Sequence, residues 1–379
     1  MLYLHIPFCQ SRCIYCDFFS TASPGGADSR YVKALCHELA FRQHYLPAPG
    51  GEAATLHTIY FGGGTPSLLP DAALEEVMRT IRRLFRVADD AEVTLECNPD
   101  DVYPERVAQW RRMGVNRVSL GIQTFSDSLL RLLRRRHTAE EAELAVKTLA
   151  AGGMENLSID LIYGLPQQSA ADFREDLQRA FDLPVKHLSS YALSVEEGTV
   201  LGQKVKSGEL VPADEDTCVE EYNDLLAAAE EAGFEHYEIS NFALPGFHSR
   251  HNSGYWNGTP YLGVGPGAHS FDGKCRRHNL PLLMEYLECG EGDVPHTIER
   301  LGRTELINEM LFTSLRTRQG LDMEQLAEHF GQEVKDETLR LAHPHLAAGR
   351  LEFQEGRLRL TKRGILVSDD IMSDLMQLA

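Results

Sequence analysis

Cys9, Cys13 and Cys16 fall within eight residues of one another in HIPFCQSRCIYCDF. Three soft thiolates spaced this way on one loop can reach a single compact metal centre. A tetrahedral zinc site asks for a fourth Cys or His. His5 is near in sequence, but a strand residue there would point along the strand. A [4Fe–4S] cluster held by three cysteines instead leaves one iron open to a further ligand. The residues alone keep both metals in play. The remaining five cysteines (Cys36, Cys97, Cys218, Cys275 and Cys289) are scattered and read as small buried hydrophobes. A second feature is Gly62-Gly63-Gly64-Thr65-Pro66, where missing side chains let backbone approach a ligand closely.

Positioning these groups falls to an alternation of short β runs and amphipathic helices up to about residue 195. The strands expected are Leu2–His5, Leu56–Phe61, Glu92–Cys97, Arg117–Gln123, Leu157–Ile162 and His187–Leu193. Leu74, Val77, Met78, Ile81 and Leu84 make one helical stripe that starts at Pro70-Asp71. Further helices run from Pro104 to Gly114 and from Thr138 to Ala151. Six β/α units in series predict an α/β fold with a parallel sheet, open or a partial barrel. No GxGxxG or GxxxxGK[ST] follows the first strand, so the nucleotide-fold signatures are missing. Next come a helix over Asp214–Ala232, a strand around His236–Ile239 and a turn-rich aromatic stretch to Phe271. The last 80 or so residues read as helices Thr304–Leu315, Asp322–Phe330 and Asp336–Ala348. A hairpin, Leu351–Phe353 with Leu358–Leu360, and a closing helix follow, in the winged-helix order. The domains expected are 1–200, 201–298 and 299–379.

The chain has 379 residues, 43% hydrophobic and 25% charged, an ordinary globular mix. Its 37 Lys+Arg against 56 Asp+Glu give a formal charge of −19. A field of that sign repels phosphate and argues against nucleic acid or an anionic lipid surface as partner. From Leu301 onward 10 Lys+Arg face 13 Asp+Glu, so the winged-helix-like module reads as a lid or interaction domain rather than a DNA reader. No apolar run approaches a membrane span, and MLYLHIPFC lacks the marks of a signal peptide. A cytoplasmic protein is expected.

The cysteine segment resembles the CxxxCxxC signature of the radical S-adenosylmethionine (SAM) superfamily. More narrowly, the whole chain is similar to the group of oxygen-independent coproporphyrinogen III oxidases and their heme-chaperone relatives. The resemblance implies a partial (β/α)6 TIM-like barrel with a C-terminal α+β winged-helix-like domain. It also implies a [4Fe–4S] cluster on Cys9, Cys13 and Cys16 whose open iron binds the methionine moiety of SAM. By the same resemblance Gly63, Gly64, Thr65, Glu96, Gln123, Arg135 and Asp160 match SAM-contacting positions, nearly all at strand C-terminal ends. Tyr3, Tyr15, Ala192 and His269 match further adenosine- or methionine-contacting positions.

Two departures separate the oxidase from the chaperone branch. The oxidases carry another cysteine two residues after the third, where this chain has Phe18, and an N-terminal arm ahead of the cluster, where Cys9 follows almost at once. Both departures match the chaperones. A third feature, His251-Asn252-Ser-Gly-Tyr255-Trp256, resembles their heme-associated HNxxYW motif. An imidazole can ligate iron, and Tyr255 and Trp256 offer flat surfaces to a porphyrin. The same residues also read as a packed turn, and His248 is the alternative ligand. The expectation is a chaperone that passes heme to apo-proteins of the respiratory chain, with monomer and homodimer both left open. The alternative is coproporphyrinogen III dehydrogenase, an enzyme acting on propionates. A zinc-stabilised interaction protein is a third class.

Overall fold

The computed structural model describes residues 1–23, 29–48, 50, 53–290 and 292–376. Six strands follow the order expected: β1 (Leu2–Ile6), β2 (Thr55–Gly63), β3 (Arg86–Cys97), β4 (Arg117–Gln123), β5 (Asn156–Tyr163) and β6 (His187–Ala192). All pair in parallel with their neighbours. Three short strands complete the sheet: β7 (Glu235–Glu238), β8 (Asn241–Ala243) and β9 (Leu262–Val264). The order across it is β9-β1-β2-β3-β4-β5-β6-β8-β7, with β9 parallel to β1 and the β7–β8 hairpin antiparallel on β6. The sheet is a partial barrel with β9 and β7 as its outer strands, and Glu238 of β7 bridges to Thr317.

Alternation along these strands separates two environments. Ile59, Phe61, Val93, Leu95, Val118, Leu120, Leu157, Ile159 and Leu188 are buried in one apolar cluster. Into that cluster pack the stripe of helix Asp71–Leu84 (Leu74, Val77, Met78 and Ile81) and Val107 and Trp110 of helix Pro104–Met113. The alternate positions are polar: Thr58, Tyr60, Glu92, Glu96, Arg117, Ser119, Ser158, Asp160, His187 and Ser189. A parallel sheet covered on both faces usually carries apolar residues on both. A polar inner layer is the mark of a binding interior.

Helix ends obey local chemistry. Thr138 and Glu141 form a capping box at Ala139–Ala151. Gly114, at φ 98°, closes Pro104–Met113 in the left-handed region that glycine favours. Helices Ser29–Phe41 and Ala170–Asp182 complete the outer layer.

The C-terminal part has its own core of Ile307, Leu311, Leu315, Leu326, Leu358, Ile371 and Leu375. It comprises helices Arg303–Leu315, Met323–Phe330 and Gln332–Ala347, the hairpin Leu351–Gln354 with Arg357–Leu360, and helix Ser368–Leu375. Arg316 ties it to the barrel, its guanidinium 4.9 Å above the Trp256 ring and 5.3 Å above that of Phe312. No helix among the described residues is long and apolar enough to cross a membrane.

Candidate functional site

A cavity of about 420 Å³ opens at the C-terminal ends of the parallel strands, within the size range of small-molecule sites. Its wall includes Cys9, Cys13, Tyr15, Cys16, Gly63, Gly64, Thr65, Glu96, Gln123, Arg135, Asp160 and Ala192. Twelve residues singled out from sequence thus meet on one wall. A larger cleft of about 950 Å³ runs between Glu235–Ile239 and the C-terminal hairpin. It contains none of the twelve, so the smaller cavity is the site.

The three cysteines sit half-buried on the loop after β1. Thr65 Oγ1 donates to Cys9 Sγ at 3.6 Å, and Arg135 Nη1 donates to Cys13 Sγ at 3.4 Å. Burial pushes the Cys9 and Cys16 thiols up, so a cation or metal is needed to hold them as thiolates. Among the described residues no three His, Cys, Asp or Glu side chains converge as a single-ion site. The three thiols line one cavity, the donor set that a cluster held by three cysteines uses. The donor set therefore fits a [4Fe–4S] cluster.

The glycine turn makes room for that loop. A Cβ on Gly64 would meet Phe8 O at 2.8 Å and Cys9 Sγ at 3.0 Å. Gly63 adopts φ 113° and its amide donates to Glu96 Oε2 at 3.2 Å. Glu96 Oε1 accepts from Tyr60 Oη at 2.7 Å. Burial raises the Glu96 carboxyl to about 7 despite these two donors. Across the cavity Ser119 Oγ donates to Asp160 Oδ1 at 3.1 Å, and burial also raises Asp160. Two carboxyls and one guanidinium facing the same space complement a ligand with an ammonium, ribose hydroxyls and a carboxylate. SAM is such a ligand.

Of the neighbouring arginines only Arg135 faces the cavity. Its Nη2 donates to Asn98 Oδ1 at 2.8 Å and to the Gly121 carbonyl. Its Nε is buried without a partner, an open donor for an anionic ligand. Arg136 instead pairs with Asp100 at 2.6 Å, and Arg134 is exposed with φ 59°. Gln123 sits at a register shift between β4 and β5 with φ 75°, a backbone state that costs energy and clusters at ligand sites. Asn98, which also donates to Thr65 Oγ1 at 3.3 Å, escaped the sequence reading. Its place directly after β3 was the available signal.

Tyr3 lies beneath the cavity, its hydroxyl 3.1 Å from His5 Nδ1 and its ring 6.1 Å from that of Tyr60. His269 is outside the wall, exposed on a separate three-stranded sheet.

The aromatic motif is also elsewhere, on helix Arg250–Trp256. The Glu92 carboxylate accepts the amides of Arg250 and His251 at 3.1 and 3.0 Å. His251 is 1% exposed, with Nδ1 2.8 Å from Thr58 Oγ1 and Nε2 2.9 Å from Tyr255 Oη. Its ring packs 4.9 Å from that of Tyr60. Burial drives its pKa down to about 3, so it is neutral. Both ring nitrogens, one protonated and one an acceptor, are thus engaged, by Thr58 and Tyr255. Asn252 gives its amide to Ser249 Oγ at 3.2 Å, and Trp256 carries the Arg316 contact. His248 meets Glu235 Oε2 at 2.9 Å and stacks on Tyr237.

Comparison with known proteins agrees with this geometry. The family model "Radical SAM superfamily" matches residues 3–180, and "HemN C-terminal domain" matches 301–367. The heme chaperone HemW of Mycobacterium tuberculosis is 39% identical, over 99% of this chain and 94% of its own length. That of Bacillus subtilis is 32% identical over 97% of each chain. The solved structure of coproporphyrinogen III oxidase (HemN) from Escherichia coli superposes with a TM-score of 0.84 over 99% of this chain and 89% of that one. At 24% identity it speaks for the fold alone. Identity of this extent, on a barrel that gathers the CxxxCxxC loop, Glu96, Gln123, Arg135 and Asp160 in one cavity, places the chain in the HemW family of the radical SAM superfamily.

Proposed function

We propose that this protein is a cytoplasmic heme chaperone that binds one heme and hands it to apo-proteins, with respiratory enzymes as recipients. It would carry a [4Fe–4S] cluster on Cys9, Cys13 and Cys16, with SAM held by Glu96, Gln123, Arg135, Asp160 and the Gly63–Thr65 turn. The cluster, when bound, would supply an electron to the sulfonium of SAM. The chain's own residues do the rest. Arg135 and Asn98 would fix the carboxylate end, Glu96 and the Gly63 turn the amino end, and Asp160 with Ser119 the sugar. Homodimer formation would then be a response to loading.

The observation that carries the chaperone reading is Phe18, 66% exposed at the cavity rim. It stands where the oxidases of this group carry their extra cysteine, in a chain whose full-length relatives are named heme chaperones. The deciding experiment is anaerobic reconstitution followed by two assays on one sample. Hemin titration should saturate at one heme per chain, and coproporphyrinogen III should not be converted. SAM-dependent conversion would overturn the reading in favour of the dehydrogenase.

A further inference from the structure

Asn98 follows β3 directly and stands at the N-cap of the short 3-10 helix Pro99–Asp101, in extended backbone at φ −92° and ψ 148°. Asparagine at such a position ordinarily turns its side chain back to accept an amide of the turn it precedes. Here the side chain makes no cap bond. It lines the cavity instead, on a backbone that is fixed from behind. The Asn98 amide donates to Ser67 Oγ at 3.4 Å, and the buried Ser67 hydroxyl donates to Asp101 Oδ2 at 2.6 Å.

Both ends of the freed side chain reach groups that touch cysteine sulfur. Nδ2 donates to Thr65 Oγ1 at 3.3 Å, and Thr65 Oγ1 donates onward to Cys9 Sγ at 3.6 Å. Oδ1 accepts from Arg135 Nη2 at 2.8 Å, and Arg135 Nη1 donates to Cys13 Sγ at 3.4 Å. A guanidinium can only donate, so the oxygen of the amide must face Arg135 and its nitrogen Thr65.

The two branches ask one side chain for opposite polarities. Thr65 needs a donor against its oxygen, so that its single proton goes to sulfur. Arg135 needs a neutral acceptor, which holds the guanidinium without taking its charge. An amide supplies both, and a carboxylate only accepts. In Asn98→Asp the carboxylate would pair with Arg135 and draw the Thr65 proton away from Cys9. Hydrogen bonds to the sulfurs and the local charge help set the potential of an iron–sulfur centre. Donors and positive charge favour its reduced, more negative state, and partners behind the ligands carry much of this tuning.

We propose that Asn98 is a positioning residue for the cluster loop: its amide aims Thr65 at the Cys9 sulfur and Arg135 at the Cys13 sulfur. It thereby keeps the cluster easier to reduce and leaves the Arg135 charge for the carboxylate of SAM. The proposal rests on the cluster and SAM reading above, and its test separates the two. Wild type, Asn98→Asp, Asn98→Ala, Thr65→Val and the Thr65→Val/Asn98→Asp double variant are reconstituted anaerobically. The midpoint potential is read by electron paramagnetic resonance during reductive titration, and SAM affinity by equilibrium dialysis. Iron content and the far-UV spectrum control for loading and fold. Asn98→Asp should shift the midpoint to more negative values and weaken SAM at least tenfold. Asn98→Ala removes both contacts without adding a charge, so it should shift both quantities the same way by less. It also carries the test if the carboxylate keeps the cluster from assembling. Thr65→Val should lower the midpoint too, and on that background Asn98→Asp should add less than it does alone, because the Cys9 branch is already cut. Wild-type midpoint and SAM affinity in every loaded Asn98 variant would overturn the positioning role and leave the cluster reading intact. Absence of iron and sulfide from the reconstituted wild type would overturn both.

Discussion

Arg135 holds its Nη1 3.4 Å from the sulfur of Cys13, so the guanidinium that faces the cavity also touches the cluster loop. Its other contacts, Asn98 Oδ1 and the Gly121 carbonyl, are neutral acceptors. The positive charge is therefore left for a ligand anion and for the Cys13 sulfur. The cysteine loop and the cavity wall are mechanically joined through this one side chain.

Replacing Arg135 by Ala should weaken SAM binding about 10- to 100-fold, because losing a charge-assisted hydrogen bond costs roughly 1.5–3 kcal/mol. Arg135→Lys should recover only part, since a point charge cannot keep the forked contacts. Equilibrium dialysis of SAM against iron-normalised protein measures this. Full affinity in Arg135→Ala would remove the residue from the site.

Substituting Cys9, Cys13 and Cys16 together with Ala should abolish iron and sulfide content. The fold should survive. None of the three belongs to the buried apolar core, which is built from strand and helix residues such as Ile59, Leu95 and Val107. Iron analysis and the far-UV spectrum report the two outcomes separately. Cluster retention in the triple variant would refute the ligand assignment.

Much of this molecule was legible in the sequence, for identifiable reasons. The six parallel strands have apolar alternate residues and clear punctuation, so their positions matched within a few residues. β3 is the exception, since it begins at Arg86, six residues before Glu92. Its first half, Arg-Val-Ala-Asp-Asp, has no apolar pattern to announce it. The three-residue strands β8 and β9 were invisible because so short a run has no period, and pairing with the strong strands β6 and β1 creates them. In the site, twelve of the residues singled out line one cavity, while Tyr3 and His269 do not, because a match of position does not specify where neighbouring strands carry a side chain. His251 shows the same limit. Its type suggested a metal ligand, but Thr58, Glu92 and Tyr255, distant in sequence, decide where its nitrogens go.

Glu96 gives a pH signature. Its pKa is about 7 in the folded chain, raised by burial, against an ordinary value of 4.5. An acid raised on folding binds a proton more readily in the native state, so it lowers stability as pH climbs from 4.5 through 7. For a ligand carrying an ammonium and a sulfonium the sign reverses, because the ionised carboxylate attracts it. SAM affinity should rise between pH 6 and 7.5 in the wild type, and Glu96→Gln should flatten that rise. A parallel pH profile in Glu96→Gln would assign the dependence to another group.

His251 makes the opposite prediction for stability. The folded ring stays neutral down to a pKa of about 3 because burial disfavours the charged form. In the unfolded chain it takes up a proton near 6.5. Its contribution is therefore whole above 6.5 and is lost as pH falls from 6.5 toward 3. The slope is about 1.4 kcal/mol per pH unit for one proton. His137 and His187, also lowered chiefly by burial, add to the same slope. His251→Gln should remove one proton's worth of it. His251→Ala should cost about 2–4 kcal/mol, since Thr58 Oγ1 and Tyr255 Oη lose their buried partner and a cavity opens beneath Tyr60. Tyr255→Phe should cost less, about 1–2 kcal/mol, because only the imidazole Nε2 loses its partner. Urea unfolding of the three variants at pH 7.5 and 5 supplies every number needed. If His251→Gln keeps the full wild-type slope, the imidazole is not the neutral hydrogen-bonded hub that these contacts describe, and its role in fixing the HNxxYW helix against the barrel falls with it.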